Sequence, residues 1–364
     1  MRDGSAVSFK ICAEFIHIRG IASVLSSRVF NQKRRPLLSI IGATLLIPAV
    51  AAPALAAPRR AQAVSSEDRI RDRIVPRTVQ FEALPLERSK QNHLLLRASI
   101  NGKPALLGVD TGAPVSAISI NRLAHFGMTP ALPSSAIPTR LRINGAFNNV
   151  SMAHNLQLGA LTLVDEPMVA VDLGGSTKAA KLMKEQAIDG IIGADILFPT
   201  NAVVDCRAQM LILKVDPNVR GSAPGINYSG LSKVPMQVSP GYNLYVDSRV
   251  NGKPIKLMVD TGAFATLLHQ RFVRRMKIPL RESPFSSAGV NLAQRGVQFA
   301  TISKFSVGSV DMRDKQVGVI NLEGLVRNGL LDASPPVAGL LGSEILQHHN
   351  GIIDFGTKTL YLKR

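Results

Sequence analysis

Residues 101–113 read NGKPALLGVDTGA, and residues 251–263 read NGKPIKLMVDTGA. The two stretches differ only at Ala105/Ile255, Leu106/Lys256 and Gly108/Met258, and they lie 150 residues apart. Other segments return at nearly the same offset. Residues 188–197 (IDGIIGADIL) are echoed by 337–346 (VAGLLGSEIL), and residues 201–213 (NAVVDCRAQMLIL) by 350–362 (NGIIDFGTKTLYL). A long fixed repeat is the mark of one structural module used twice. Each copy holds one Asp-Thr-Gly, at Asp110-Thr111-Gly112 and Asp260-Thr261-Gly262. A pseudo-twofold axis relating the copies would bring two carboxylates together.

The local pattern in each copy is β-like. Residues 93–100 and 105–109 read as strands around Asn101-Gly102, the preferred pair for a two-residue hairpin turn. Alternation continues through 141–143, 150–158 and 161–171. Residues 188–193 form an apolar strand, and 201–205 with 209–213 a last hairpin. Only 121–127 and 195–198 suggest short helices. The second copy repeats the order, with strands at 242–250 and 255–259 around Asn251-Gly252. Short strands at regular spacing with little helix predict an all-β, barrel-like module. Expected boundaries are 86–216 for the first domain, 217–233 for a linker rich in Pro, Gly, Ser and Asn, and 234–364 for the second.

Both Asp residues close an apolar strand, where an unpaired charge is costly. A shared site accounts for them. Two adjacent carboxylates cannot both ionise cheaply, so one keeps a proton and the other does not. The charged member is a general base toward water, and the protonated one can donate to a carbonyl oxygen. This pattern, Val-Asp-Thr-Gly-Ala followed downstream by an apolar-apolar-Gly strand (Ile191-Ile192-Gly193 and Leu340-Leu341-Gly342), resembles the retropepsin-like aspartic protease superfamily. More closely, it is similar to bacterial exported proteins with one or two retropepsin-like domains, here as a tandem member. The resemblance covers about residues 90–215 and 240–364.

The resemblance implies two tandem acid-protease β-barrel domains related by a pseudo-twofold axis. It makes Asp110 and Asp260 the catalytic pair of an aspartic endopeptidase acting on a protein or peptide substrate. Thr111 and Thr261 would hydrogen-bond across the axis, and Gly112 and Gly262 would let backbone N–H groups reach the carboxylates. Gly193 and Gly342 would sit in the strand beneath each loop. A substrate-covering hairpin is expected at 141–150 with Asn144-Gly145 as its tip, while its second-copy counterpart at 286–298 matches poorly and is expected to be altered or absent. Neither a metal nor an organic cofactor is implied. Both Asp residues lie in one chain, so a monomer with an intrachain pseudo-dimer is expected. The alternative is a non-catalytic peptide-binding or scaffold protein that keeps the same fold.

Rival constellations are weak. The seven histidines have no metal spacing, and neither a G-x-S-x-G elbow nor a phosphate-binding glycine loop occurs. Asp189, Asp195 and Glu344 are expected to be surface or helix-capping residues. Asp205 and Asp354 are expected to make structural hydrogen bonds in the last hairpins.

Composition agrees with a folded β protein. Hydrophobic residues make up 46%, aromatics only 5%, and Trp is lacking, so the core is aliphatic. The formal charge is +18, of which Arg2, Lys10, Arg19, Arg28, Lys33, Arg34 and Arg35 against Asp3 and Glu14 supply +5, leaving +13 for the rest. The basic residues are scattered and no nucleic-acid motif accompanies them, so a solvated basic surface is expected and no nucleic acid partner. Residues 1–56 read as a signal peptide, with Lys33-Arg34-Arg35 before an apolar stretch at 37–50 and Ala54-Leu55-Ala56 as the cleavage pattern. Export to the periplasm or cell envelope is expected, with peripheral association with the envelope left open. Residues 57–85 are an Arg-rich leader expected to be flexible. Without residues 1–56, Cys206 has no partner for a disulfide and is expected to be a core residue.

Overall fold

The computed structural model describes residues 80–131, 142–143, 146–147, 149–216, 223–289, 292–332 and 337–364. All of them belong to one compact unit, Val64–Arg364. The expected signal peptide and most of the leader lie outside the described residues. The fold is all-β, two tandem lobes of one topology joined by a sheet that both build.

Each lobe starts from the repeated hairpin. In the first, Leu94–Ile100 pairs antiparallel with Lys103–Val109, in the register Ala98↔Ala105. In the second, Leu244–Val250 pairs with Lys253–Val259. Asn101 and Gly102 have φ of 49° and 78°, and Asn251 and Gly252 of 49° and 81°. Positive φ at both central positions defines the tight turn whose twist matches the flanking strands, which is why both copies keep Asn-Gly. The hairpin strands bury runs of apolar residues, and Leu94, Leu96, Leu107, Leu244, Val246 and Leu257 join one apolar cluster.

A short strand then lies between two others. Gly190–Ile192 runs parallel to Lys103–Val109 and antiparallel to Ala117–Ser119. Gly339–Leu341 repeats the arrangement against Lys253–Val259 and Leu267–His269. The chain passes through the Asp-Thr-Gly loop between the two outer strands, so each loop is held at a strand end from both sides.

The lobes meet in a six-stranded antiparallel sheet. Its order is Phe81–Arg88, Met210–Lys214, Val203–Asp205, Ile352–Asp354, Thr359–Lys363 and Leu231–Val238. The central pair registers Val203↔Asp354, Val204↔Ile353 and Asp205↔Ile352, so the pseudo-twofold axis passes beside Val204 and Ile353. Two expected boundaries change here. Residues 81–85, expected in the leader, pair with 210–214, because Leu84 alternates into the core at 7% exposure. The second lobe opens at Leu231, which pairs with Lys363 inside the segment expected as linker.

The hairpins expected over the cleft are of two kinds. Arg142–Ile143 pairs with Ala146–Phe147, and the Asn144-Gly145 tip lies outside the described residues. In the second lobe Arg281–Gly289 pairs with Leu292–Val307, so a hairpin does occupy 286–298. Its register shifts between Glu282 and Ser286 and again between Ser287 and Gly289. Bulges of this kind break the period of two, which hid the hairpin in the sequence. Among the described residues, no helix is long and apolar enough to cross a membrane.

Candidate active site

The two Asp-Thr-Gly loops face each other across the axis and share their hydrogen bonds. Thr111 N–H donates to Thr261 Oγ1 at 3.0 Å, and Thr261 N–H donates to Thr111 Oγ1 at 3.1 Å. Each hydroxyl passes its own proton across the lobe boundary, Thr111 to the Val259 carbonyl at 2.9 Å and Thr261 to the Val109 carbonyl at 2.7 Å. Thr111 is 1% exposed and Thr261 not at all. Four buried bonds therefore fix the spacing of the loops.

Inside each loop the glycine N–H turns onto the carboxylate. Gly112 donates to Asp110 Oδ1 at 2.9 Å. Gly262 and Ala263 both donate to Asp260 Oδ1 at 2.9 Å. The glycines are needed for space. A Cβ on Gly112 would lie 2.5 Å from the Asp260 carboxyl carbon, and one on Gly262 would lie 2.3 Å from Asp110 Oδ2. No side chain fits between either backbone and the opposite carboxyl.

The two carboxyls are hydrogen-bonded to each other. Burial pushes Asp110 above the usual carboxylate range, opposed by N–H donors and by His93. Asp260 is pushed well above it, by burial first and then by the adjacent Asp110 charge. Two adjacent buried acids resist ionising together, so losing the second proton is harder than losing the first.

Two matching clamps seat the loops. Asp195 Oδ1 and Oδ2 accept from Ser116 N–H at 2.9 and 2.8 Å, and Oδ1 accepts the Ser116 hydroxyl at 2.7 Å. Glu344 accepts from Thr266 N–H at 2.8 Å and pairs with Lys315 at 3.0 Å. Ser116 Oγ and Thr266 Oγ1 in turn accept the N–H of Gly193 and Gly342, at 3.0 and 3.1 Å. A Cβ at Gly193 would meet the Val115 carbonyl carbon at 2.6 Å, and one at Gly342 the Ala265 carbonyl carbon at 2.3 Å. These glycines sit just after the strand expected to hold them, at the start of the helices Ala194–Leu197 and Ser343–His348.

The expectation of surface or capping roles for Asp189, Asp195 and Glu344 is thereby corrected. Asp189 is 6% exposed and accepts from Leu106 N–H at 2.9 Å and Arg122 Nε at 2.6 Å. Their carboxylates satisfy main-chain donors, Leu106 N–H in the strand Lys103–Val109 for Asp189, and Ser116 and Thr266 N–H after the loops for Asp195 and Glu344. Asp205 does hold its hairpin turn, accepting from Arg207 and Ala208 N–H. Asp354 accepts from Thr357 N–H and Tyr228 Oη. Cys206 is 3% exposed, and burial pushes its thiol up to about 12. It remains a protonated core residue.

One neighbour of the pair was not anticipated. Burial lowers the pKa of His93, and the charges of Asp110 and Glu185 oppose that shift. The repeat places Asn243 opposite it. Comparing the two copies beyond the Asp-Thr-Gly core would have exposed that difference. Other contacts link the two lobes. The N–H of Arg142 donates to the Asn328 carbonyl at 2.9 Å, and Leu330 packs on the first-lobe cluster of Val115, Ala117, Val150 and Val169. Among the described residues, no group of three or more His, Cys, Asp or Glu is arranged to hold a metal ion.

Basic 7S globulin from soybean aligns over 78% of this chain and 94% of its own, with 11% identity and a TM-score of 0.40. A retropepsin-like aspartic protease from Rickettsia conorii aligns over 36% of this chain and 90% of its own, with 19% identity and a TM-score of 0.28. No curated protein matches the chain in sequence. The family model for aspartyl proteases matches twice, at residues 96–196 and 246–345, with one Asp-Thr-Gly loop in each match. Covering both lobes and more than half of the sequence, it shows that the chain belongs to the aspartyl protease family.

Proposed function

We propose that the protein is an aspartic endopeptidase that hydrolyses peptide bonds through one water activated by Asp110 and Asp260. The observation that carries this reading is the pair itself: two carboxyls in mutual hydrogen bond, on loops locked by the reciprocal Thr111–Thr261 bonds. The ionised carboxyl takes a proton from a water lying between the two. The hydroxide equivalent attacks the peptide carbonyl carbon while the protonated carboxyl donates to the carbonyl oxygen. The product is a neutral tetrahedral diol. The carboxyl that gained the water's proton then passes it to the amide nitrogen. The other carboxyl recovers its proton from a diol hydroxyl as the C–N bond breaks. Each carboxyl ends as it began, and neither is consumed.

An extended peptide suits the cleft between two β lobes, where backbone-to-backbone bonding does not depend on sequence. The apolar stretch and cleavage pattern in residues 1–56 support action after export, in the periplasm or at the cell envelope. The test is hydrolysis of casein, an unstructured protein, between pH 3 and 8 by the wild type and by Asp110→Asn and Asp260→Asn. Loss of at least about 100-fold in each single variant is expected, since each removes one proton-transfer partner. A folded wild type that leaves casein and a random peptide library intact at every pH would sink the peptidase reading and favour a binding or scaffold role. Loss in only one variant would mean that the carboxyls do not act as a pair.

A further inference from the structure

The helix Gln270–Arg275 and the turn after it carry five cations, Arg271, Arg274, Arg275, Lys277 and Arg281. All five are exposed. Phe272 and Val273 bury the other side of the helix, while Arg271, Arg274 and Arg275 share one face through their i, i+3, i+4 spacing. Among the described residues, none of the five is in an ion pair. Glu282, the one acid of residues 270–282, accepts from Gln298 Nε2 at 2.5 Å.

The repeat shows that the fold does not require these charges. The first copy builds the same corner. Gly127 N–H donates to the Ala124 carbonyl at 3.2 Å and Met128 N–H to the Leu123 carbonyl at 3.0 Å. Lys277 N–H donates to the Arg274 carbonyl at 3.0 Å and Ile278 N–H to the Val273 carbonyl at 3.3 Å. Yet the five positions read Asn121, Ala124, His125, Gly127 and Ala131 in the first copy. Its one arginine there, Arg122, is paired with Asp189 at 2.6 Å.

Folding alone selects against the choices of the second copy. Arg271 lies in the first turn of its helix, where the dipole disfavours a cation. Like charges three and four residues apart repel. Lys277 has a φ of 55° where the first copy has Gly127 at 60°. That left-handed backbone suits glycine and is costlier for a residue with a Cβ. A Cβ at Gly127 would meet nothing within 4 Å, so backbone conformation and not crowding separates the two. The dipole accounts for Arg274 and Arg275 in the last turn, but not for Arg271 or Arg281.

We propose that this face binds a membrane of anionic lipids. Charge complementarity calls for an anionic partner, and the layout narrows it. The cations spread over a helix, a turn and the start of the strand Arg281–Gly289 and do not converge on one pocket, which suits a plane of headgroups better than a single phosphate. Pro279 is exposed, and Met276 and Leu280 are half-buried, so apolar groups lie among the charges, as at a lipid interface. Phe272, the one aromatic residue of the stretch, is buried, which leaves no ring for a nucleic-acid base to stack on. Each cation near an anionic membrane raises partition about five-fold, and salt screens the attraction. Binding needs no turnover, so its success or failure leaves the peptidase reading untouched.

Residues 64–364, the compact unit that holds both lobes, are sedimented with vesicles of phosphatidylcholine, with and without phosphatidylglycerol. These residues leave out the apolar stretch at 37–50, which could enter a bilayer by itself. Binding to the phosphatidylglycerol vesicles at low salt is expected, with loss in about 0.5 M NaCl and none to phosphatidylcholine alone. Replacing Arg271, Arg274 and Arg275 together by Gln should weaken binding about 100-fold. Replacing Lys103, Lys233 and Lys253, three exposed cations on other strands, should weaken it only a few-fold. Equal losses in the two triple variants would mean that total charge and not this face does the binding, and would overturn the proposal. So would a protein that binds soluble polyphosphate or nucleic acid but no vesicle, or that binds nothing.

Lys277→Gly separates the face from the fold, because the first copy already folds with glycine there. It should raise the urea midpoint and weaken vesicle binding about five-fold. A lowered midpoint would show that the lysine serves the fold, and unchanged binding that its charge serves nothing at a membrane. Either result would overturn the proposal.

Discussion

The hydroxyls of Thr111 and Thr261 each donate to one main-chain carbonyl and accept from one main-chain N–H of the other lobe. Thr111→Val keeps the shape and removes both bonds. It leaves the Val259 carbonyl and Thr261 N–H unpaired in a dry interface, at about 1–3 kcal/mol for each group. Urea unfolding should show that loss, and Thr111→Ser should recover most of it, since the hydroxyl returns. A Thr111→Ser protein as unstable as Thr111→Val would mean that methyl packing, and not the bond, holds the loops. At this scale the sequence was legible where a residue type is forced by a contact that repeats. Gly112, Gly262 and the two Asn-Gly turns recur because no other side chain fits the space or the φ. His93 escaped notice for the opposite reason. It occurs once, its role depends on which neighbours it meets in space, and a lone histidine carries no spacing that announces a role.

At the scale of elements, the clamps beneath the loops differ in strength. Asp195 satisfies two donors of Ser116, its N–H and its hydroxyl, whereas Glu344 satisfies one N–H of Thr266 and shares its charge with Lys315. Asp195→Ala should therefore destabilise more than Glu344→Ala, by roughly the value of one further charge-assisted bond, about 1.5–3 kcal/mol. Chemical unfolding of the two variants side by side checks this, and an equal or reversed order would assign the seating of the loops to the glycine contacts instead. These elements show where pattern reading stopped. The strands with strict alternation were read to within a few residues. The bulged hairpin Arg281–Gly289/Leu292–Val307 was not, because each bulge inverts the alternation that identifies a strand. The helix Gly174–Met183 was missed too, since it opens on two glycines and buries little beyond Ala180. The carboxylates Asp189 and Asp195 looked like surface groups because sequence shows the charge but not the Leu106 and Ser116 N–H groups that meet them in space.

At the scale of the whole molecule, the buried pair makes stability depend on pH in a defined direction. Asp260 is displaced upward on folding, so folding prefers its protonated form. The stability it contributes is full below its unfolded value of about 3.9, and is lost as pH rises through the higher folded value. Asp260→Asn is neutral at every pH and escapes that loss. It should be more stable than the wild type at pH 7, by about 1.4 kcal/mol for each unit of the upward displacement, and the gap should close near pH 3. Melting temperatures between pH 3 and 8 test the sign, and a gap that widened toward acid would contradict it. The same axis that buries the pair also joins the halves, since Val204 and Ile353 stand opposite each other at the centre of a sheet to which each half gives three strands. Neither half alone can cover that sheet or the Thr111–Thr261 bonds, and each would expose an open edge strand. Residues 80–216 and 223–364 made as separate chains should therefore associate on mixing, with the edge of Val203–Asp205 finding Ile352–Asp354 again. Hydrolysis should appear in the mixture and be lost when either Asp is changed to Asn. Because the joining surface is nearly self-complementary, each half alone should also self-pair, more weakly, as the two lobes match in backbone and differ in side chains. Gel filtration and light scattering of each half and of the mixture decide the matter. Two stable, folded monomers that ignore each other would show that the shared sheet forms only because one chain carries both halves.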